Sequence, residues 1–216
     1  MNLDAIKISW VDITIVALLI VGLFRGRKRG LSVELLDVIM WLAIVVGAGF
    51  LYEPGGKMLA QLSVFSLLFS YITVYILAAI TIAIFFAVIK RALGSKLAGS
   101  DAFGRGEYYL GMGAGMLRFA CIVMVVMALL NARLYNFEEV QAREKSQENN
   151  FGTIRFFRLY SLQADVFKDS WAGRLTHDYL GSVLIKPTRP EEKSLGNDNA
   201  VARRRERGVN EILDKK

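Results

Sequence analysis

The sequence predicts an all-α membrane protein with about four transmembrane helices, followed by a C-terminal tail that is partly helical and partly disordered. Of its 216 residues, 54% are hydrophobic and only 22% are charged, which is too apolar for an ordinary soluble domain. The long apolar runs all fall within the first 131 residues, and the connections between them differ in charge. We therefore predict a multi-pass membrane domain over residues 1–131, oriented by its basic loops.

The first predicted helix covers residues 8–24 and is followed by a basic cluster. Acidic residues precede the apolar run and positive charge follows it, which is the reverse of a cleaved signal peptide. Asp12 is expected near the outer end of this helix. The cluster contains no acidic residue and consists of Arg25, Arg27, Lys28 and Arg29. Lys and Arg resist translocation, so this loop is predicted to lie in the cytoplasm.

The second predicted helix, residues 31–52, carries two carboxylates near its start. Four residues follow spacings of four, three and four: Gly30, Glu34, Asp37 and Trp41. At ~100° per residue these positions share one helix face. The carboxylates are either ordinary acidic residues that suit the positive end of the helix dipole, or functional groups at the mouth of a membrane segment. Residues 53–57 contain one proline and two glycines and predict an outer turn.

The third predicted helix, residues 62–89, has 28 residues without a charge. As a helix it would be about 42 Å long, which exceeds a ~30 Å hydrocarbon core. The connection after it is predicted to be cytoplasmic because it is basic, with Lys90, Arg91, Lys96 and Arg105 against Asp101 and Glu107. Its glycines lack the Lys and the Ser or Thr that a phosphate-binding loop requires.

The fourth predicted helix, residues 108–130, combines small residues with a buried charge. Gly111 and Gly115 are four apart, a pattern that lets helix backbones approach closely in lipid. Arg118 lies deeper and is costly in lipid unless it is paired. We predict that Glu34 neutralises Arg118, with Asp37 as the alternate partner, because all three belong to the cytoplasmic halves of their helices. The alternative is that Arg118 extends to the lipid headgroups without a carboxylate.

Three motifs occur in order along the membrane domain. They are Trp10-Val11-Asp12, Arg29-Gly30-x-x-x-Glu34-x6-Trp41-x-Ala43 and Leu110-Gly111-x-x-x-Gly115-x-x-Arg118. Their order and spacing resemble the colicin V production protein (CvpA) family, bacterial inner-membrane proteins with about four membrane segments. The chain departs from the family pattern at Glu107, where an Asp is usual, and at Phe119, where a Gly is usual. The resemblance implies a role in the production or export of the toxin colicin V, with no accepted catalytic activity.

The residue inventory predicts that the chain is not an enzyme and holds no cofactor. One histidine, His177, and one cysteine, Cys121, allow neither a multi-histidine metal site nor an intrachain disulfide. Neither a nucleophile with a histidine base nor a nucleotide loop can be assembled. One hypothesis is a non-catalytic, homo-oligomeric protein that supports toxin production, export or envelope maintenance, with the lipid bilayer and other envelope or export proteins as partners. The alternative is a pore or transporter subunit whose polar path is lined by Glu34, Asp37 and Arg118.

The tail divides into an amphipathic helical extension, residues 132–185, and a disordered charged segment, residues 186–216. An apolar stripe recurs in steps of four at Phe167, Trp171, Leu175 and Tyr179. It is expected to pack on the membrane domain or on another subunit, or else to lie on the bilayer surface. The arginines within residues 203–207 are interpreted as solvated rather than as a nucleic-acid site.

The predicted topology has two cytoplasmic loops between four crossings. Both termini are therefore predicted to lie outside the cytoplasm.

Overall fold

The long helices of this protein form a bundle, and a short helical cap covers one of its ends. A computed structural model describes residues 9–62, 65–97, 106–135 and 159–189. The long helices in these ranges are α1 (Trp10–Arg29), α2 (Leu31–Leu62), α3 (Leu67–Leu97) and α4 (Gly106–Asn131). The cap, residues 159–189, contains α5 (Leu159–Ala164), a π-helical turn (Asp165–Asp169) and α6 (Trp171–Leu180). The all-α prediction is confirmed.

Three of the described helices are long and apolar enough to cross a membrane. They cover Leu31–Leu62, Leu67–Ala92 and Gly106–Asn131. Helix α1 has 20 residues and carries Asp12 in its first turn and basic residues in its last turn. The chain is therefore a multi-pass helical membrane protein, and a fourth crossing by α1 stays a prediction.

The helices alternate in direction, but the bundle is not packed in chain order. Helix α1 lies against α4, while α2 packs against both α3 and α4. The apolar core is concentrated where α2 approaches its end, α3 begins and α4 ends. Its buried members include Tyr52, Tyr71, Tyr75 and Met127. The charged residues discussed below lie at the opposite end of the bundle.

The predicted outer turn at residues 53–57 is wrong, because α2 continues through it to Leu62. The glycines there serve packing rather than chain reversal. A Cβ on Gly55 would lie 2.8 Å from Val74 Cγ1, and one on Gly56 would overlap the ring of Tyr71. Close contact between α2 and α3 thus overrides the local turn signal, and the helix tolerates Pro54 inside it.

The predicted connection after the third segment begins too early. Helix α3 starts at Leu67 rather than at residue 62 and runs on to Leu97, so Lys90 and Arg91 are helical. The ammonium of Lys90 donates a hydrogen bond to the Asp37 carboxylate on α2 while Lys90 is still helical, so the loop begins later than this residue. Similarly, α1 includes the whole basic cluster, and Gly30 alone separates it from α2.

The cap is attached to the ends of α2 and α4. Leu184 and Ile185 are fully buried in the core. The hydroxyl of Tyr52 donates to the Leu184 carbonyl at 3.2 Å and accepts from the Lys186 amide at 3.1 Å. Thr188 N donates to the Ala132 carbonyl at 2.9 Å. The ordered cap therefore extends past residue 185, where the tail was predicted to become disordered; residues 190–216 lie outside the described ranges.

The apolar stripe predicted for the tail is only partly used for packing within the chain. Phe167 contacts the core, but Trp171, Leu175 and Tyr179 are 54%, 44% and 78% exposed. Phe167 thus packs on the membrane domain, while packing of the three exposed side chains on another subunit or on the bilayer surface stays a prediction. The π-helical turn and the break at Ser170 interrupt the regular spacing of four. The buried positions of this segment are instead Val166, Ser170 and Gly173.

The amino group of Lys186 fixes the cap to α2 from the solvent side. Its Nζ lies 2.8 Å from Glu53 Oε2, and Glu53 Oε1 lies 2.8 Å from the Nζ of Lys57. The hydrogen bond to Glu53 raises the pKa of Lys186. Since both ammonium groups are exposed, neither pair is expected to add much stability, and the Lys186 pair mainly positions the cap.

Candidate functional site

Five charged side chains from four helices meet at one end of the bundle, and we call them the charge cluster. They are Arg29, Glu34, Asp37, Lys90 and Arg118. Because the helices alternate in direction, the end of α1, the start of α2, the end of α3 and the start of α4 adjoin here. The cluster therefore links segments that are far apart in sequence.

Glu34 is the most deeply placed member of the cluster. Its side chain is 0% exposed, and its Oε1 accepts a hydrogen bond from Arg118 Nη1 at 2.5 Å. The Nη1 of Arg29 lies 3.5 Å from Oε2. Within the described part of the chain, neither Glu34 Oε2 nor Arg118 Nε has a hydrogen-bond partner. Glu34 thus lies beside two guanidinium groups, and its Oε2 can still accept a hydrogen bond.

Asp37 contacts every cation of the cluster. Its Oδ1 accepts from Lys90 Nζ at 2.7 Å. Its Oδ2 accepts from Arg29 Nη1 at 3.2 Å and from Arg118 Nη1 at 3.3 Å. Asp37, which the sequence suggests only as an alternate partner of Arg118, is therefore the centre of the network. Its carboxylate connects α1, α3 and α4 to α2.

The cluster explains how an arginine is accommodated within a membrane helix. The side chain of Arg118 is only 12% exposed, whereas Arg29 and Lys90 are 35% and 44% exposed. An unpaired arginine near mid-bilayer costs about 3 kcal/mol on insertion scales, and two carboxylates offset that cost here. The predicted contacts of Arg118 with Glu34 and Asp37 are both present. With three cations and two carboxylates, the cluster has a formal excess of one positive charge (3 − 2).

The two predicted small residues of α4 lie against glycines of α1. We call Gly22, Gly26, Gly111 and Gly115 the glycine seam. A Cβ on Gly111 would lie 2.7 Å from the Gly26 carbonyl oxygen, and one on Gly115 would lie 2.8 Å from Gly26 Cα. The close backbone approach predicted for Gly111 and Gly115 is confirmed. Their partners on α1 were not predicted, although Gly22, Gly26 and Gly30 also recur in steps of four.

Gly30 makes the one-residue break between α1 and α2. Its φ of 75° lies in the left-handed region, which residues with a side chain rarely adopt. A Cβ there would also lie 2.9 Å from Glu107 Oε1, the atom that accepts a hydrogen bond from Ser32 N at 3.4 Å. Gly30 thus shapes the turn that carries Arg29 towards the carboxylates. Trp41 lies one turn beyond Asp37 and is partly buried.

Asp12 lies at the other end of the bundle, away from the remaining candidate residues. Its Oδ1 accepts from Ser170 Oγ at 2.6 Å and from the Ala172 amide at 3.1 Å. Its Oδ2 accepts from the Trp171 amide at 3.2 Å. A carboxylate at this position satisfies free N–H groups and suits the positive end of α6. Asp12 therefore fixes the cap, a role that local sequence patterns do not reveal.

Changing Asp12 to asparagine is expected to loosen the cap without unfolding the bundle. The change keeps the shape but removes the charge that binds the start of α6, which should cost about 1 kcal/mol. Amide hydrogens of α6 should then exchange roughly fivefold faster in mass-spectrometric measurements. Asp178→Asn, at an exposed position of the same helix, is the control. Equal exchange rates in wild type and Asp12→Asn would show that this carboxylate does not hold the cap.

The remaining chemistry-bearing residues do not extend the site. Cys121 is buried at 3% exposure, so it cannot serve as a crosslinking handle on the native protein. Over residues 9–62, 65–97, 106–135 and 159–189, no group of three or more His, Cys, Asp or Glu side chains is placed to hold a metal ion. The charge cluster is thus a set of ion pairs within the bundle, and its functional role stays a prediction.

Comparison with known proteins identifies the family of this chain. The family model described as "Colicin V production protein" matches residues 11–148 of the chain, which is more than half of its length. No curated protein and no solved structure matches significantly. The matched segment begins at the start of α1 and continues beyond α4, so it includes the charge cluster and the glycine seam.

Proposed function

Because this chain belongs to the colicin V production protein family, we propose that it is a non-catalytic protein of the bacterial inner membrane that supports toxin production or export, or envelope maintenance. The family match over residues 11–148 carries this proposal. The charge cluster supports the non-catalytic role, since its side chains form ion pairs that join four helices. We propose that the protein acts as a homo-oligomer; light scattering on the purified protein in detergent would count the chains.

The proposed role is tested in a bacterium that makes a colicin V-type toxin. Deleting the gene for this chain should lower the toxin activity released into the medium, and restoring the gene should recover it. A leakage assay for a periplasmic enzyme separates a toxin-specific effect from a general envelope defect. Normal toxin release together with an intact envelope would contradict the proposal.

The proposed topology has four crossings, with the charge cluster towards the cytoplasm and the cap outside. The basic ends of α1 and α3 support this orientation. In a Cys121→Ser background, the variants Asp178→Cys and Lys28→Cys place one thiol on the cap and one at the opposite end. An impermeant thiol reagent on intact spheroplasts should label position 178 and not position 28. The reverse labelling pattern would overturn the assignment.

The alternative is a pore or transporter subunit, and one observation favours it. A fully buried carboxylate, Glu34, lies between apolar helices and keeps one oxygen able to accept a hydrogen bond. Purified protein in planar bilayers separates the two functions. A conductance that is lost in folded Arg118→Leu protein, checked by its thermal midpoint, and kept in Arg91→Leu, which removes an exposed charge at the same end, would favour the pore. Electrical silence under all ionic conditions would favour the supporting role.

A further inference from the structure

A cavity opens between the end of α1 and the start of α4, on the outside of the bundle. Its volume is about 680 Å³, within the range of small-molecule sites. The described side chains that line it are Phe24, Arg27, Lys28, Tyr108, Tyr109 and Met112. None of these residues belongs to the charge cluster. The cavity is therefore a separate feature of the same end of the molecule.

The cavity carries positive charge that no lining residue in the described part of the chain compensates. Arg27 and Lys28 are both exposed, and none of the described residues that line the cavity is acidic. The nearest carboxylate in sequence, that of Glu107, is directed to the turn at Gly30, where its Oε1 accepts from Ser32 N. The cavity thus suits an anion.

The lining changes from polar to apolar along the two helices. Phe24 lies one helical turn further into α1 than Lys28, and Met112 lies one turn further into α4 than Tyr108. Both deeper positions are therefore towards the middle of the bundle, whereas the cations are at its end. A ligand that fills this cavity needs a charged group at the rim and an apolar part alongside Phe24 and Met112.

We propose that this cavity binds an anionic phospholipid, with Arg27 and Lys28 contacting its phosphate. The hydroxyl groups of Tyr108 and Tyr109 are suited to donate hydrogen bonds to the headgroup, because amphipathic aromatic side chains occupy the headgroup level of membranes. An acyl chain lies against Phe24 and Met112. Basic pockets between membrane helices bind anionic headgroups in this way. The inference is independent of the proposed role in toxin production.

The test measures lipid binding to the purified full chain in detergent by native mass spectrometry. Phosphatidylglycerol is compared with phosphatidylcholine at equal acyl composition. The double variant Arg27→Gln/Lys28→Gln should bind phosphatidylglycerol about thirtyfold more weakly, the ratio expected from about 1 kcal/mol for each charge. The matched control is Arg25→Gln/Arg91→Gln, which removes two exposed charges at the same end but outside the cavity lining. An equal loss in the control would overturn the site.

Two further arms separate a lipid site from general attraction of anions. Met112→Trp fills the apolar part of the cavity without changing the charge, and it should weaken phosphatidylglycerol binding while leaving thermal stability close to wild type. Unchanged binding in this variant would show that the cavity is not the site.

Millimolar inorganic phosphate should not displace the lipid from the wild type. Full displacement by phosphate would show that the cations form a free-phosphate site instead.

Discussion

Replacing Arg118 with methionine is expected to destabilise the protein by about 3–5 kcal/mol, because the fully buried Glu34 loses its nearest cation. The remaining guanidinium of Arg29 is 3.5 Å from the other oxygen and cannot fully substitute. The measurement is the free energy of unfolding or the thermal midpoint of the purified protein in detergent. Arg91→Met, at an exposed position of α3, is the control and should change stability by less than about 0.5 kcal/mol.

The double variant Arg118→Met/Glu34→Gln distinguishes an ion pair from two independent effects. If the pair exists, the double variant is less destabilised than the sum of the single variants, with a coupling of about 1 kcal/mol or more. Asp37→Asn provides a parallel arm, in which Arg29 and Lys90 lose their acceptor as well. Simple additivity in both arms would mean that Arg118 is stabilised by something other than these carboxylates.

Replacing Gly115 with alanine is expected to cost about 1–3 kcal/mol, because the added methyl group meets the backbone of α1. The obstructing atoms are the Gly22 carbonyl oxygen and Gly26 Cα, which cannot move aside as a side chain can. The helices must therefore separate, and the thermal midpoint in detergent should fall.

Gly113→Ala is the matched control for the glycine seam. Gly113 belongs to the same helix, two residues away, and a Cβ there meets nothing within 4 Å. The added methyl group should leave stability unchanged or raise it by up to about 1 kcal/mol, since alanine favours the helical state over glycine. Equal effects of the two substitutions would show that close packing between α1 and α4 is not what Gly115 provides.

The sequence predicts contacts that depend on the helical spacing of residues and on their depth along a membrane helix. The steps from Gly30 through Glu34 to Asp37 place two carboxylates on one face, and the depth of Arg118 brings it within reach of them. Lys90 could not be placed in the same way, because the end of α3 has no clear signal and the lysine resembles the start of a basic loop. The family match confirms the resemblance drawn from the same motifs.

Contacts that depend on distant segments could not be predicted from local patterns. The carboxylate of Asp12 and its hydroxyl partner on Ser170 are 158 residues apart, and neither residue is unusual in its own surroundings. Residues 53–57 led to a wrong prediction for the same reason. Their proline and glycines favour a turn locally, but α3 lies so close that the helix is stabilised by packing against Val74 and Tyr71.

The pairing of α1 with α4 also determines the order in which the protein can be assembled. Helix α1 is synthesised before α2, α3 and α4, yet the backbone that fits its glycines belongs to α4, the last of these four. Until α4 is made, Gly22 and Gly26 of α1 lack the backbone that they contact in the glycine seam, and Arg118 is not yet available to Glu34. Closing so distant a contact is slow compared with pairing neighbouring helices. The bundle therefore reaches its native packing only after α4 has been synthesised, in a step that joins the glycine seam and the charge cluster together.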